Sequence, residues 1–215
     1  MKIVVTGSSN GIGKAIAEKF IDCGHEVIGI DTQNAAIVSP SYTHFAADVY
    51  SDELPHISGV QILVNNAGVQ NSGRDIDVNL KGAIRVTENY AFQSSIKSVL
   101  FIASASARSG SEFPEYVASK GGMVSYMKNV ALRIAEYGAT ANSLSPGGVI
   151  TDLNKHILTD ENLWKQVMNE TPLKKWATTD EIAEFAYFVT VVNKSMTAED
   201  LLIDNGEYMK AKFIW

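Results

Sequence analysis

The chain has 215 residues, 46% of them hydrophobic, enough for one sizeable core and short for two. Its net charge of -6, from 18 basic and 24 acidic side chains, offers no basic stripe to neutralise phosphates and so argues against a nucleic-acid partner. One cysteine, Cys23, cannot close an internal disulfide, and the four histidines are scattered without metal-ligand spacing, so no metal site is expected.

The opening "MKIVVTG" turns from apolar to glycine too soon for a secretory leader, and no apolar run nears the ~20 residues of a membrane span. A cytoplasmic protein without a membrane partner is the expectation. Short β-rich runs follow one another at 2–6, 26–31, 43–47, 60–64, 98–103, 139–145 and 200–204. Helical stripes lie between them: Ile12, Ile16 and Phe20; Ile76, Leu80 and Ile84; Val130 and Ile134; Ile182, Phe185 and Val189. This alternation predicts an α/β fold, a parallel sheet covered by helices on both faces. Only "YSDELPHISG" separates Val49 from Val60, too little for a crossover helix of ordinary length. With no repeat and no linker, residues 1–215 read as a single domain.

"TGSSNGIGKAIAEKF" (6–20) leaves the first strand and opens the first helix. Gly7, Gly11 and Gly13 allow a tight turn and a close backbone approach to a pyrophosphate, whose charge the helix N-terminus favours. Asp31 ends the second strand, where a carboxylate can accept from an adenosine ribose hydroxyl and repel a 2′-phosphate. Neither Asn10 nor Thr32 and Gln33 supplies an arginine to clamp such a phosphate, although Lys14 is near, so NAD(H) is favoured over NADP(H).

Tyr116-x-x-x-Lys120 places a phenol and an ammonium one helical turn apart. A tyrosine is a poor acid or base at its ordinary pKa of about 10, and a nearby ammonium would draw that value down. Taken alone the pair could equally be an exposed helical couple. "FIASASA" adds hydroxyls, Ser104 and Ser106, at the end of an apolar strand, where they suit a site at the strand's carboxyl end. Asn79, with Gly82 close by, breaks local rules inside a predicted helix.

In order along the chain, T-G-x-x-x-G-x-G at Thr6–Gly13, "DV" at Asp48–Val49, "NNAG" at Asn65–Gly68, "VNLKG" at Val78–Gly82, Tyr116-x-x-x-Lys120 and "NSLSPGGVITD" at Asn142–Asp152 resemble the short-chain dehydrogenases/reductases. "PLKKWATTDEIAEF" and "LLIDNG" continue the likeness, which covers essentially the whole chain.

The resemblance implies a Rossmann-like three-layer αβα sandwich with a seven-stranded parallel sheet and a nicotinamide dinucleotide at the strands' carboxyl ends. It places Gly7, Ser9, Asn10, Gly11 and Ile12 at the cofactor, Asp48 and Val49 beside the adenine, Asn65 and Ala67 along its path, and Val149 and Thr151 near the carboxamide, with Asn66 structural. It implies Tyr116 as proton donor to a ketone, Ser104 as the residue that orients the oxygen, with Ser106 in reserve, Lys120 on the ribose and Asn79 completing a proton relay. The substrate is then an alcohol/ketone pair and the assembly a homodimer or homotetramer.

In 152–175, His156 and Trp164 could touch substrate, or Leu158, Leu163, Trp164 and Val167 could pack an amphipathic helix on the body. Phe213, Ile214 and Trp215 are expected against the body or a partner subunit. Two rivals stand beside the oxidoreductase: a catalytically idle dinucleotide sensor or scaffold, which needs no tetrad, and a sugar-nucleotide epimerase, which needs a larger carboxyl-terminal domain.

Overall fold

The seven β-rich runs become seven strands, all parallel, in the order β3-β2-β1-β4-β5-β6-β7. They are β1 (Lys2–Thr6), β2 (Glu26–Asp31), β3 (Tyr42–Ala46), β4 (Ile62–Asn65), β5 (Ser98–Ile102), β6 (Thr140–Pro146) and β7 (Asp200–Ile203). The computed structural model describes residues 1–209, so the expected packing of Phe213, Ile214 and Trp215 lies outside the described residues.

Strand alternation divides the core in two. Ile3 and Val5 of β1, Ile62 and Val64 of β4, and Leu100 and Ile102 of β5 face α1 (Gly11–Asp22) and α7 (Thr179–Tyr187). Val4, Leu63, Val99 and Phe101 face the other way, against α2 (Ala83–Tyr90) and α4 (Pro114–Ile134), where Met123, Met127, Val130 and Ile134 are buried. Each fully buried side chain of this kind contributes roughly 1.5–3 kcal/mol, which fixes the strand register as well as the layers. Shorter helices α3 (Ser106–Ser109), α5 (Lys155–Leu158) and α6 (Glu161–Glu170) lie in the connections.

Two stripes depart from expectation. Ile76, Leu80 and Ile84 are only half-buried, because Ile76–Gly82 is a π-helix that leads into α2. Its wider i→i+5 turn rotates Val78, Asn79 and Gly82 inward instead. A Cβ on Gly82 would come within 2.7 Å of Val49 Cγ2, so glycine lets this helix lie close to the chain leaving β3. Phe185, expected in the core, is 46% exposed; Ile182, Ala183 and Ala186 make the inward face of α7 before a second π turn at Phe188–Val192.

The short crossovers are shorter than helices. Residues 32–41 and 47–61 contain none. Ile57 and Val60 close the core there without one, and Tyr90 donates to the Pro55 carbonyl at 2.6 Å, satisfying backbone that a helix would have satisfied.

Candidate active site

The glycine turn is held by the neighbouring strand end. Gly7 and Gly11 take positive φ, +69° and +51°. Asn66 Nδ2 donates to the carbonyls of Thr6 and Gly7 at 3.0 and 3.1 Å, and Thr6 Oγ1 accepts from the Asn66 and Ala67 amides, both at 3.0 Å. A Cβ on Gly13 would sit 2.1 Å from the Gly7 carbonyl oxygen, so only glycine lets α1 start this close to the turn. Asp31 closes the turn from the side, accepting from Ser9 N–H through Oδ2 and from Gln33 N–H through Oδ1, both at 2.9 Å.

At the carboxyl ends of the strands a cleft of about 1150 Å³ opens. Gly7, Asn10, Gly11, Ile12, Asp31, Asp48, Val49, Ala67, Ser104, Tyr116, Lys120, Val149 and Thr151 all line it. Ser9 and Asn65 do not. Ser9 is buried behind the turn, and Asn65 is buried with its Nδ2 on Thr87 Oγ1 at 2.9 Å. Asn79 is also away from the cleft wall: its Nδ2 donates to the Val69 carbonyl at 2.9 Å and to Ser119 Oγ at 3.0 Å, and its Oδ1 accepts from Val69 N–H at 2.7 Å. It ties the π-helix to α4, and a Cβ on Gly68 would be 3.2 Å from Asn79 Oδ1 and 3.5 Å from Lys120 Nζ.

The catalytic candidates meet at the end of β5. Lys120 is buried and donates to the Ile102 carbonyl at 2.8 Å, and its Nζ stands 5.7 Å from the centre of the Tyr116 ring. Ser104 Oγ accepts from both Ser106 N–H at 3.2 Å and Ser106 Oγ at 2.9 Å, so the second serine orients the first. Burial pushes Lys120 down to about 8, against the raising effect of Asp75 and Glu112. Burial pushes Tyr116 up to about 12; hydrogen bonding with Ser104 opposes it, while the charges of Glu112 and Asp75 add to it. The expected lowering of the phenol by the lysine is thus not the dominant effect: desolvation is, and Tyr116 is held as a protonated acid.

Asp75, Arg74, Glu112 and Glu207 were missed from sequence. Asp75, a buried carboxylate, accepts from Asn71 and Ser72 and keeps its charge against burial, folding residues 70–75 into the cleft's rim. Burial works against ionised Asp48, yet Arg74 at 2.8 Å and local backbone amides hold its pKa low. Glu112 and Glu207 line the far end. None lies in a periodic pattern; for Asp75 and Glu112, a carboxylate in a short loop between two site residues was the available clue. His156 and Trp164 are not in the cleft wall: His156 is exposed, and Trp164 packs edge-on to Trp176, their rings 5.3 Å apart.

A family model described as enoyl-(acyl carrier protein) reductase matches residues 7–207. The chain belongs to the short-chain dehydrogenase/reductase family. It is similar to D-beta-hydroxybutyrate dehydrogenase of Rhizobium meliloti, 30% identical over 231 residues that cover 86% of this chain and 90% of that one. A 3-oxoacyl-acyl-carrier-protein reductase of Chlamydia pneumoniae is 27% identical, with 95% and 96% covered. Among solved structures, the aldohexose dehydrogenase of Thermoplasma acidophilum superposes with a TM-score of 0.86 at 25% identity, covering 100% of this chain and 96% of that one. This short-chain dehydrogenase/reductase is an enzyme, an oxidoreductase that interconverts alcohols and ketones with a nicotinamide dinucleotide.

Among the described residues no group of three or more His, Cys, Asp or Glu could hold a metal ion, and no helix is long and apolar enough to cross a membrane.

Proposed function

We propose that this enzyme, as one domain spanning residues 1–215, uses NAD(H) in preference to NADP(H) to interconvert a secondary alcohol and a ketone, with Tyr116 as the proton donor and acceptor. The observation that carries the reading is that Ser104, Tyr116 and Lys120 line the same cleft as the glycine turn Gly7–Ile12.

The residues fit a dinucleotide. The turn through Gly7 and Gly11, the N-terminus of α1 and the Asp31 carboxylate lie along one side of the cleft. Gly7, Asn10, Gly11 and Ile12 would hold the pyrophosphate, Asp48 and Val49 the adenine, Ala67, Val149 and Thr151 the path toward the nicotinamide, and Lys120 its ribose. Ser9 and Asn65 would act from behind, Ser9 by donating its amide to Asp31. Solved neighbours of this fold carry either nucleotide, NADP in one from Agrobacterium tumefaciens and NADH in a 4-hydroxyisoleucine dehydrogenase, so the choice falls to this chain's own residues. Asp31 puts a negative charge at the ribose end, and Arg74, the nearby cation, is spent on Asp48.

When bound, the nicotinamide supplies or accepts the hydride. In reduction, Tyr116 gives its phenolic proton to the developing alkoxide and Ser104, aligned by Ser106, donates a hydrogen bond to the same oxygen. The buried Lys120 ammonium stabilises the phenolate left behind. Asn79 would serve the relay by holding Val69, Gly68 and Ser119 around Lys120. A sensor or scaffold would need none of this set. Exposed Phe185, Phe188 and Val192, together on α7 and its π turn, support a homodimer or homotetramer, and unpaired Cys23 suits the cytoplasm.

The test follows NADH and NADPH absorbance over a panel of ketones, with Tyr116→Phe as the control. Turnover with NADH that falls at least 100-fold in Tyr116→Phe supports the reading; tighter binding of NADPH overturns the role of Asp31, and equal turnover by the variant overturns that of Tyr116.

A further inference from the structure

The far end of the cleft carries charge that hydride transfer does not use. Glu112, in the link between α3 and α4, opens onto the cleft a few residues before Tyr116. Gln70 Nε2 approaches its Oε2 at 3.4 Å, and Ser106, whose hydroxyl donates to Ser104 Oγ at 2.9 Å, is near enough to pull its pKa down. Glu112 thus lines the cleft beside the Ser104–Ser106 pair.

Glu207, on the turn after β7, lines the same end. Its Oε1 is taken by Thr171 Oγ1 at 2.8 Å and Trp176 Nε1 at 2.9 Å, while its Oε2 would be 3.0 Å from a Cβ on Gly147, a cleft residue. Each of the cleft's cations is engaged elsewhere: Arg74 with Asp48, Arg108 with Asp200 and Lys120 with the Ile102 carbonyl. Among the described residues neither Glu112 nor Glu207 has an ion-pair partner. Partial desolvation raises the Glu112 pKa, and Glu207 adds to the rise, while Ser106, Gln70 and Lys120 pull the other way.

These facts select among substrates. A carboxylate substrate would bring another negative charge to a wall without a free cation. An acyl chain would lay methylenes against carboxylates and strip their water without replacing its hydrogen bonds. A substrate ammonium would meet the charge of Lys120 beside the reacting oxygen. A hydroxyl satisfies a carboxylate with a charge-assisted hydrogen bond and adds no charge.

Resting on the oxidoreductase reading above, we infer that the substrate is a neutral polyhydroxy compound, a sugar or polyol, and that Glu112 sets this preference by accepting a hydrogen bond from a hydroxyl near the reacting carbon. A site built to bond a substrate hydroxyl discriminates strongly against analogues that lack it.

The experiment measures NAD-dependent oxidation of xylitol, sorbitol and glucose against 2-butanol, 3-hydroxybutyrate and 1-amino-2-propanol. Wild type, Glu112→Gln and Glu112→Ala are compared, with thermal melts to show that each variant folds and NADH fluorescence titrations run in parallel. The expected result is a kcat/KM for at least one polyol or sugar at least tenfold above that of any other class. Its KM should rise at least tenfold in Glu112→Ala, less in Glu112→Gln, and by a larger factor than for 2-butanol. Preference for the hydroxy acid or the amino alcohol overturns the inference, as does an equal loss on the polyol and 2-butanol. NADH binding without oxidation of any polyol or sugar overturns the substrate class and leaves the oxidoreductase reading standing. Absence of both NADH binding and turnover overturns both.

Discussion

Lys120 Nζ lies 5.7 Å from the centre of the Tyr116 ring, and burial drives apart two groups whose ordinary titration ranges nearly coincide, the lysine down to about 8 and the phenol up to about 12. At neutral pH both therefore carry their protons.

A pH profile follows. Ketone reduction at saturating NADH should hold from neutral pH to about 8, then decline as Lys120 loses its charge while Tyr116 is still protonated. Stopped-flow single-turnover rates between pH 6 and 10.5 check this, and a flat profile across that range would contradict the assignment to Lys120.

Replacing that lysine separates stability from activity. Because the folded-state pKa lies below 10.5, the charged form is penalised in full below about 8, and the penalty fades as pH rises toward 10.5. Lys120→Met should thus stabilise the fold at pH 7 on the order of 1–3 kcal/mol, with a smaller gain at pH 10, while turnover falls at least 100-fold. Thermal melts at the two pH values read the first effect, and NADH oxidation the second.

Asn79→Ala removes three buried hydrogen bonds and leaves Val69 N–H without its acceptor. A loss of about 2–4 kcal/mol is expected, read as a lower urea midpoint with an unchanged slope. A loss below about 0.5 kcal/mol would mean that the π-helix and α4 do not depend on this side chain.

Two glycines in helices should respond in opposite directions. Gly13→Ala drives a methyl into the Gly7 carbonyl and should cost about 3 kcal/mol together with nucleotide affinity. In Gly121→Ala the added methyl meets nothing within 4 Å, so the change should be neutral or stabilising by roughly 0.5–1 kcal/mol. Chemical denaturation of both variants, with NADH titration of Gly13→Ala, provides the comparison.

The centre of the sheet was legible because β1, β2, β4 and β5, buried on both faces, read as apolar runs, and each observed strand lies within two residues of its predicted bounds. Side-chain direction at turns was not. Ser9 and Asn65 follow strand ends like their neighbours, yet backbone dihedrals turn Ser9 behind Asp31 and Asn65 toward Thr87, which no spacing reveals. The stripe Ile76, Leu80, Ile84 misled because a π turn shifts the inward face while the residue types keep their α-helical rhythm. Glu112 and Glu207 escaped notice because they meet only after the links before α4 and after β7 converge.

The helix-free crossovers give the cleft two unequal halves. Ser104 directly follows interior β5 and Lys120 stands on long α4, whereas Asp48 and Val49 follow β3, an edge strand whose ladder joins it to β2 alone. As temperature rises, this edge should open before the sheet's centre, so nucleotide affinity should weaken while the catalytic groups keep their geometry. Cofactor, by favouring the closed edge, would then act as a fold stabiliser as well as a reactant, and its cellular concentration would set the enzyme's heat tolerance.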